Sequence, residues 1–126
     1  MSDRVLLDTH VVIWWRTNDA RLSANAREAI AGASFVFVSA ASAWEIAIKS
    51  ALGRVRLPRP FSEGVEDSGF VELPIGFQHA DAVELLPPHH SDPFDRMLIA
   101  QAKVERLVLV THDRNFEPYG HPVVWT

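Results

Sequence analysis

Short apolar runs alternate along the chain with longer stretches in which apolar residues recur at helical spacing. A run of about four apolar residues between turn residues is typical of a strand buried on both faces of a parallel sheet. The pattern predicts strands at 5–7, 35–38, 70–73, 107–110 and 122–125, a buried first helix around 11–15, and helices at 23–33, 39–52, 61–68, 77–86 and 92–105. This alternation indicates an α/β fold, a three-layer α/β/α sandwich with a mainly parallel sheet of about five strands.

Composition narrows the class of protein and its compartment. The chain has 126 residues, of which 48% are hydrophobic, so we expect one domain (residues 1–126) with its own core. It contains no cysteine, which excludes disulfides and thiolate metal sites. The sequence shows neither an apolar run of about 18 residues nor a secretory leader. We therefore expect no membrane span and a cytoplasmic protein.

The net charge does not by itself favour binding to nucleic acid. The formal net charge is -4, whereas phosphate contacts require positive charge. Two bound divalent cations would bring the net charge to zero and make the charge around their binding site positive. The basic residues are nearly all Arg, which suits bidentate phosphate contact but is equally explained by a GC-rich genome.

Four acidic residues occupy positions that converge in a parallel sheet. Asp8 and Asp113 follow the first and fourth strands. Glu45 comes after the second strand, and Asp95 lies near the start of a helix. Each has an ordinary explanation as a helix cap, a turn residue or, for Glu45, the partner of Ser42 in a capping box. At one edge of a sheet, however, four carboxylates would repel each other unless a cation neutralised them.

The ligand chemistry of this cluster favours Mg²⁺ or Mn²⁺ over zinc. Carboxylate oxygens are hard ligands, and the chain has neither Cys nor a pair of His at ligand spacing. The six histidines include the pair His89-His90, which we interpret as loop residues. We interpret Asp92, directly before Pro93, as the N-cap of its helix rather than as a ligand.

Four stretches of sequence together carry a family signature. They are VLLDTH at 5–10, SAWEIAIK at 42–49, DPFDRMLIAQA at 92–102 and VTHDRNF at 110–116. In this order they resemble the motifs of the PIN-domain ribonucleases, and the likeness is strongest to the VapC-type toxins of type II toxin–antitoxin pairs. The stretch at 92–102 is the most specific of the four, and the resemblance covers essentially the whole chain.

The resemblance implies roles for particular residues. The metal-binding and catalytic acids would be Asp8, Glu45, Asp95 and Asp113. Thr111 matches a hydroxyl residue that supports such a site. Some relatives carry a further acid where this chain has Asn115, so the number of bound metal ions, one or two, stays open.

The function that the resemblance implies is an Mg²⁺- or Mn²⁺-dependent endoribonuclease that acts as a toxin. Water activated by the metal would hydrolyse RNA and leave a 5′-phosphate and a 3′-hydroxyl. Arg96 and Arg114 adjoin the acids in sequence and are candidates for phosphate contact, with ordinary surface charge as the alternative. The rival function is a non-catalytic RNA- or partner-binding module of the same fold. Receiver and haloacid-type phosphatase domains are disfavoured, because Asp8 stands alone and His10 occupies the place of the phosphatases' second Asp.

The first helix suggests a surface for a partner. Residues 11–15 are apolar in succession and cannot all face one core-facing stripe. Either this helix is buried on two sides, or Trp14 and Trp15 form an apolar groove with Ile48 and Leu52. The resemblance implies that such a groove receives an amphipathic helix of a cognate antitoxin. We also expect a homodimer.

Overall fold

The computed structural model describes residues 3–57 and 59–126. The strands in these ranges are β1 (Arg4–Leu7), β2 (Phe35–Ser39), β3 (Val71–Leu73), β4 (Val108–Thr111) and β5 (Val123–Trp125). The α-helices are α1 (Thr9–Thr17), α2 (Ala24–Gly32), α3 (Ala40–Ala51), α4 (Phe61–Asp67), α5 (Phe77–Glu84) and α6 (Pro93–Glu105), and a 3₁₀ helix spans Arg114–Tyr119. None of the helices in this part of the chain is both long enough and apolar enough to cross a membrane.

The five strands form one sheet in the order β3-β2-β1-β4-β5, and every neighbouring pair is parallel. The parallel sheet predicted from the apolar runs is thereby confirmed. The chain first moves outward from β1 to β2 and β3, and then crosses back to place β4 on the other side of β1. The strand order therefore reverses between β1 and β4. In open α/β sheets, ligands bind at the carboxyl ends of the strands at such a reversal.

Apolar residues cover both faces of the sheet because successive side chains of a strand point in opposite directions. On one face, Val5 and Val38 belong to a buried cluster with Ile30 of α2, to which α1 and α4 also contribute. On the other face, Leu6 packs in a second cluster with Ile99 of α6 and with the 3₁₀ helix. These layers confirm the predicted three-layer α/β/α arrangement.

Helix α3 begins earlier than a capping box at Ser42 would require. Ser39 is the N-cap, since its Oγ accepts a hydrogen bond from the backbone N–H of Ala41 at 2.9 Å. Ser42 and Glu45 consequently lie inside the helix, where both are buried. The capping-box explanation of Glu45 is wrong, and its burial needs another cause.

The 3₁₀ helix has no counterpart among the predicted elements. Its sequence contains Pro118 and lacks the repeating apolar stripe of a longer helix. It starts at Asp113, whose Oδ1 accepts a hydrogen bond from the backbone N–H of Asn115 at 2.9 Å. Its buried residues, Phe116 and Tyr119, fix it against the core. The segment after β4 is thus ordered, and Asp113 has a defined place at its start.

Candidate metal centre

Asp8 directly follows β1, at the point where the strand order reverses, and is the N-cap of α1; its carboxylate is buried and held from two sides. The residue is only 5% exposed. Its Oδ1 accepts from the backbone N–H of Thr9 at 2.6 Å, and its Oδ2 accepts from Oγ1 of Thr111 at 2.6 Å. Burial raises the pKa of Asp8, although both hydrogen bonds oppose this shift. The structure thus brings Thr111, at the end of β4, into direct contact with Asp8.

Glu45 approaches the same place from α3. Its Oε1 accepts from the hydroxyl of Thr9 at 2.8 Å, and its Oε2 accepts from Nζ of Lys49 at 2.7 Å. The Thr9 hydroxyl also lies 2.8 Å from Oγ of Ser42. Thr9 therefore links the carboxylates of Asp8 and Glu45, and Lys49 compensates part of their negative charge.

A histidine joins the two remaining predicted acids. Nε2 of His90 lies 2.7 Å from Oδ2 of Asp95 and 3.7 Å from Oδ2 of Asp113. One donor atom from each of these three residues lies within 4.8 Å of the others. His90 lies in a loop, as interpreted from the sequence, but its ring also reaches two of the predicted acids. Its signal in the sequence was only its place five residues before Asp95, which no standard ligand spacing singles out.

Arg96 holds the segment that carries His90. Its guanidinium donates to the carbonyl oxygens of Val83, Leu86, Pro87 and His90 at 3.1–3.4 Å. The hydroxyl of Tyr119 accepts a further bond from Arg96 at 3.4 Å and one from the backbone N–H of His90 at 3.1 Å. Because these partners occupy the guanidinium, Arg96 positions the chain rather than contacting phosphate, which corrects that part of the predicted site.

Asp95 lies among other acids. Burial raises its pKa to about 7, and the negative charges of Asp8 and Asp92 add to the effect, while His90 opposes it. Asp92 is the N-cap of α6, as predicted, because its Oδ1 accepts from the backbone N–H groups of Phe94 and Asp95 at 2.8 and 3.0 Å. A cation beside Asp8 and Asp95 would relieve both the repulsion and the cost of burial.

The pKa of Asp95 predicts how the metal-free protein responds to pH. Its ordinary value is 3.8, so between about pH 4 and pH 7 the unfolded chain loses a proton that the folded chain retains. This group's contribution to stability is therefore most favourable below pH 4 and is lost as pH rises to 7 and beyond. With a chelator present, the difference in free energy of unfolding between Asp95→Asn and wild type should increase in favour of the variant, by about 2 kcal/mol, from pH 5 to pH 8.

Urea denaturation at the two pH values measures this gain. The control is Asp81→Asn, at an exposed position of α5. Its free energy of unfolding should differ little from that of wild type at both pH values. An Asp95→Asn protein whose stability differs from wild type by the same amount at pH 5 and pH 8 would contradict the raised pKa.

A cleft of about 460 Å³ opens beside the acids. It is lined by Asp8, His10, Trp14, Arg21, His112, Asp113 and Arg114. The guanidinium of Arg114 lies over the ring of Trp125, 4.1 Å from its centroid, and that of Arg21 lies over Trp14 at 4.9 Å. Arg21 is paired with Asp19 by hydrogen bonds of 3.0 and 2.8 Å, whereas Arg114 is exposed at the cleft beside Asp113.

Helix α1 is buried on two sides, which changes the predicted partner groove. Trp14 is only 5% exposed and belongs to the core, with its ring against His112. Trp15 is half-buried against the same core and contacts Phe70, with 5.8 Å between ring centroids. Neither tryptophan forms an apolar groove with Ile48 and Leu52, because Trp14 packs in the core and against His112, and Trp15 packs against Phe70. Of the predicted groove residues, Ile48 and Leu52 remain exposed.

The donor groups fit a divalent cation. Asp8 and Glu45 are linked through Thr9, whereas Asp95, Asp113 and His90 place one donor atom each within 4.8 Å of one another, and the charge of Asp8 acts on Asp95. Such oxygen-rich sets are the usual ligands of divalent metals in proteins. Since two of these carboxylates have raised pKa values without a cation, the arrangement can hold a metal ion and would be stabilised by one.

Comparisons with known proteins show which family and which solved structures the chain resembles. Residues 5–121 match the family model for the PIN domain. The chain is 34% identical over 127 residues to Ribonuclease VapC22 of Mycobacterium tuberculosis, covering 96% of this chain and 98% of that protein. Similar solved structures include a DNA-bound VapBC from Salmonella typhimurium (TM-score 0.71, 21% identity, 96% of each chain) and a toxin–antitoxin complex from Klebsiella pneumoniae (TM-score 0.65, 20% identity, 95% of each chain).

Proposed function

Since the chain belongs to the PIN-domain family, we propose that it is an Mg²⁺- or Mn²⁺-dependent endoribonuclease and the toxin of a type II toxin–antitoxin pair. The observation that carries the proposal is the meeting of buried acids at the strand reversal, where Asp8 and Asp95 have raised pKa values. The 34% identity to a ribonuclease over nearly the whole chain supports the same activity. The substrate is RNA, and the compartment is the cytoplasm.

The residues proposed to hold the metal are Asp8, Glu45, Asp95 and Asp113. A divalent ion bound there would neutralise charge on a phosphate and lower the pKa of an attacking water. Thr9 and Thr111 keep the carboxylate of Asp8 in one orientation without adding charge. Lys49 restrains Glu45 in the same way, with a charge of opposite sign. These contacts order the acids before substrate arrives, which reduces the entropic cost of reaching a productive geometry.

The cleft beside Asp8 and Asp113 is the proposed path for the RNA backbone. Arg114 is exposed at its edge, and its planar guanidinium can contact a phosphate while stacked on Trp125. Arg21, on the wall formed by Trp14, already donates two hydrogen bonds to the carboxylate of Asp19, so it is not proposed as a phosphate contact. Since the net charge is -4, the proposed sources of positive charge for the RNA backbone are the bound divalent ions and the exposed Arg114. Arg114 thus remains a proposed phosphate contact.

The proposed protein partners are a cognate antitoxin and a second copy of this chain. Ile48 and Leu52, at the carboxyl end of α3, are 38% and 61% exposed. They adjoin Lys49, which bonds to Glu45, so an antitoxin segment on this surface would lie close to the acids. Apolar exposure of this kind is typical of surfaces that bind a partner.

Metal binding and cleavage should occur together. With Mn²⁺ or Mg²⁺ at about 100 times the dissociation constant, the folded state gains about 3 kcal/mol. The melting temperature should therefore rise by roughly 10 °C. Under the same conditions a 5′-labelled RNA pool should be cleaved to products with 3′-hydroxyl ends, and a chelator should abolish both effects.

The rival function gives a different pair of results. A non-catalytic module would show the rise in melting temperature and leave the RNA intact over a range of labelled sequences. A melting temperature that does not respond to either ion would contradict the metal centre as well as the ribonuclease. Differential scanning fluorimetry and gel analysis of the RNA are sufficient measurements.

A further inference from the structure

The imidazole of His90 adds a nitrogen donor to a site that family resemblance assigns to acids alone. We infer that His90 is a direct metal ligand through Nε2, and that it shifts the preference of the site from Mg²⁺ towards Mn²⁺ and similar transition ions. The inference rests on the proposed metal centre and concerns which of this chain's residues complete it.

The spacing of the three donor atoms suits one shared ion. Nε2 of His90 lies 2.7 Å from Oδ2 of Asp95 and 3.7 Å from Oδ2 of Asp113. Neighbouring ligands of an octahedral ion with bonds near 2.1 Å are about 3 Å apart, and opposite ligands are about 4.2 Å apart. All three donor atoms lie within 4.8 Å of one another. Shifts of a few tenths of an ångström would therefore bring them onto a single ion.

The ring of His90 is held in place by the protein and does not depend on the acids alone. The backbone N–H of His90 donates to the Tyr119 hydroxyl, and its carbonyl accepts from Arg96. The ring stands edge-on to Phe116, with 6.1 Å between centroids. The segment before α6 is therefore built to present Nε2 to the carboxylates, as expected for a ligand whose position is fixed before the metal binds.

A hydrogen bond between His90 and Asp95 does not account for the position of Asp113 near the same nitrogen. The single proton between Nε2 and Asp95 Oδ2 can serve one carboxylate, while Asp113 Oδ2 lies 3.7 Å from the same nitrogen. A divalent cation that replaces this proton would bond to all three groups and compensate both carboxylates. The proton shared by Nε2 and Asp95 Oδ2 must leave for this, so binding of the metal releases it to solvent.

The nitrogen donor has a consequence for the choice of metal. Mg²⁺ strongly prefers oxygen ligands, whereas imidazole is a common ligand of first-row transition ions. His90 should thus contribute more to the affinity for Mn²⁺ than to the affinity for Mg²⁺. Mn²⁺ is also paramagnetic, so a nitrogen bound to it can be detected directly.

The test is pulsed electron paramagnetic resonance of the full-length protein loaded with Mn²⁺. Wild type should show modulation from a directly coordinated ¹⁴N, which His90→Gln should lose and His89→Gln should keep. His89 is the matched control because it is the adjacent histidine, is exposed, and contacts Tyr119 instead of the acids. By titration, His90→Gln should raise the Mn²⁺ dissociation constant at least tenfold and change that of Mg²⁺ less than about threefold.

Three results would overturn the inference. Mn²⁺ that binds wild type without nitrogen coupling would make His90 a hydrogen-bonding neighbour of Asp95 only. Coupling that persists in His90→Gln would assign the nitrogen to another of the six histidines. Equal losses of Mn²⁺ and Mg²⁺ affinity would remove the proposed preference. If His90→Gln does not fold, replacing ¹⁴N by ¹⁵N in the histidines of wild type still decides whether an imidazole is bound. A wild type that binds no Mn²⁺ would instead contradict the metal centre itself.

Discussion

Asp95→Asn should lower RNA cleavage by at least about a hundredfold and leave the chain folded. The substitution removes a charged oxygen from the proposed ligand set, where changes even to supporting residues weaken metal binding by about 10–100-fold. In the metal-free protein it also removes the cost of ionising a carboxyl group whose pKa burial raises to about 7. The variant should therefore unfold at the same urea concentration as wild type or at a higher one. Cleavage rates in millimolar Mg²⁺ and urea denaturation in a chelator provide the two measurements.

Asp92→Asn is the matched control for this variant. It makes the same chemical change one helical turn earlier, and Asn caps a helix about as well as Asp. Because Asp92 bonds to the backbone N–H groups of Phe94 and Asp95, Asn can keep the start of α6 intact. Cleavage by this control should stay within a few-fold of wild type. Full activity of Asp95→Asn, or equal loss in both variants, would remove Asp95 from the proposed catalytic set.

The sheet could be predicted from the sequence because its strands are buried on both faces. Such strands appear in the sequence as continuous apolar runs. The bounds of the runs that begin at Val5 and Phe35 differ by at most one residue from those of β1 and β2. The order of the strands could not be obtained in this way. It depends on β4 crossing to the far side of β1, which is a long-range choice that no local pattern records. The sequence therefore predicts that the acids lie at the carboxyl ends of the strands, but it does not predict that the strand order reverses between β1 and β4.

The acids were easier to predict than the residues that hold them. A carboxylate after a strand has a place in a parallel sheet, and the pairing of Glu45 with Lys49 follows from their spacing of four residues along α3. His90 precedes its helix in an irregular segment, so no periodicity shows where its ring points. Arg96 lies beside Asp95 in sequence, yet carbonyl oxygens of that same segment, those of Pro87 and His90, accept hydrogen bonds from its guanidinium. In both cases the fold of the segment before α6 decided the role.

The tryptophans of α1 were ambiguous for a related reason. Five apolar residues in succession indicate burial on more than one side, but they do not show whether the second side faces this chain or another. Here the segments that carry His112 and Phe70 cover Trp14 and Trp15. Contacts of this kind join residues about 55 to 100 positions apart in the sequence, beyond any helical or strand period.

Arg96→Ala should reduce the free energy of unfolding by about 2–4 kcal/mol, because several carbonyl oxygens would lose a charged donor at once. Without these hydrogen bonds, the segment that carries His90 would no longer be fixed to α6, so the affinity for Mn²⁺ should also fall. Arg96→Lys should recover only part of the stability, since one ammonium group cannot reach acceptors spread along the segment. Urea denaturation in a chelator and Mn²⁺ titration measure these effects.

Arg114→Ala should instead reduce RNA cleavage and leave stability almost unchanged. Together with Arg96→Ala, it tests whether the two arginines have the different roles that their contacts indicate. The exposed guanidinium of Arg114 stacks on Trp125, a contact that contributes about 0.5–1 kcal/mol at an exposed site. Its loss should therefore change stability little. Cleavage should fall several-fold at low salt, and the difference from wild type should shrink as salt rises, because the interaction proposed for Arg114 is a phosphate contact. If Arg114→Ala were the unstable variant and Arg96→Ala only cleaved RNA more slowly in a salt-dependent manner, the two roles would have to be exchanged.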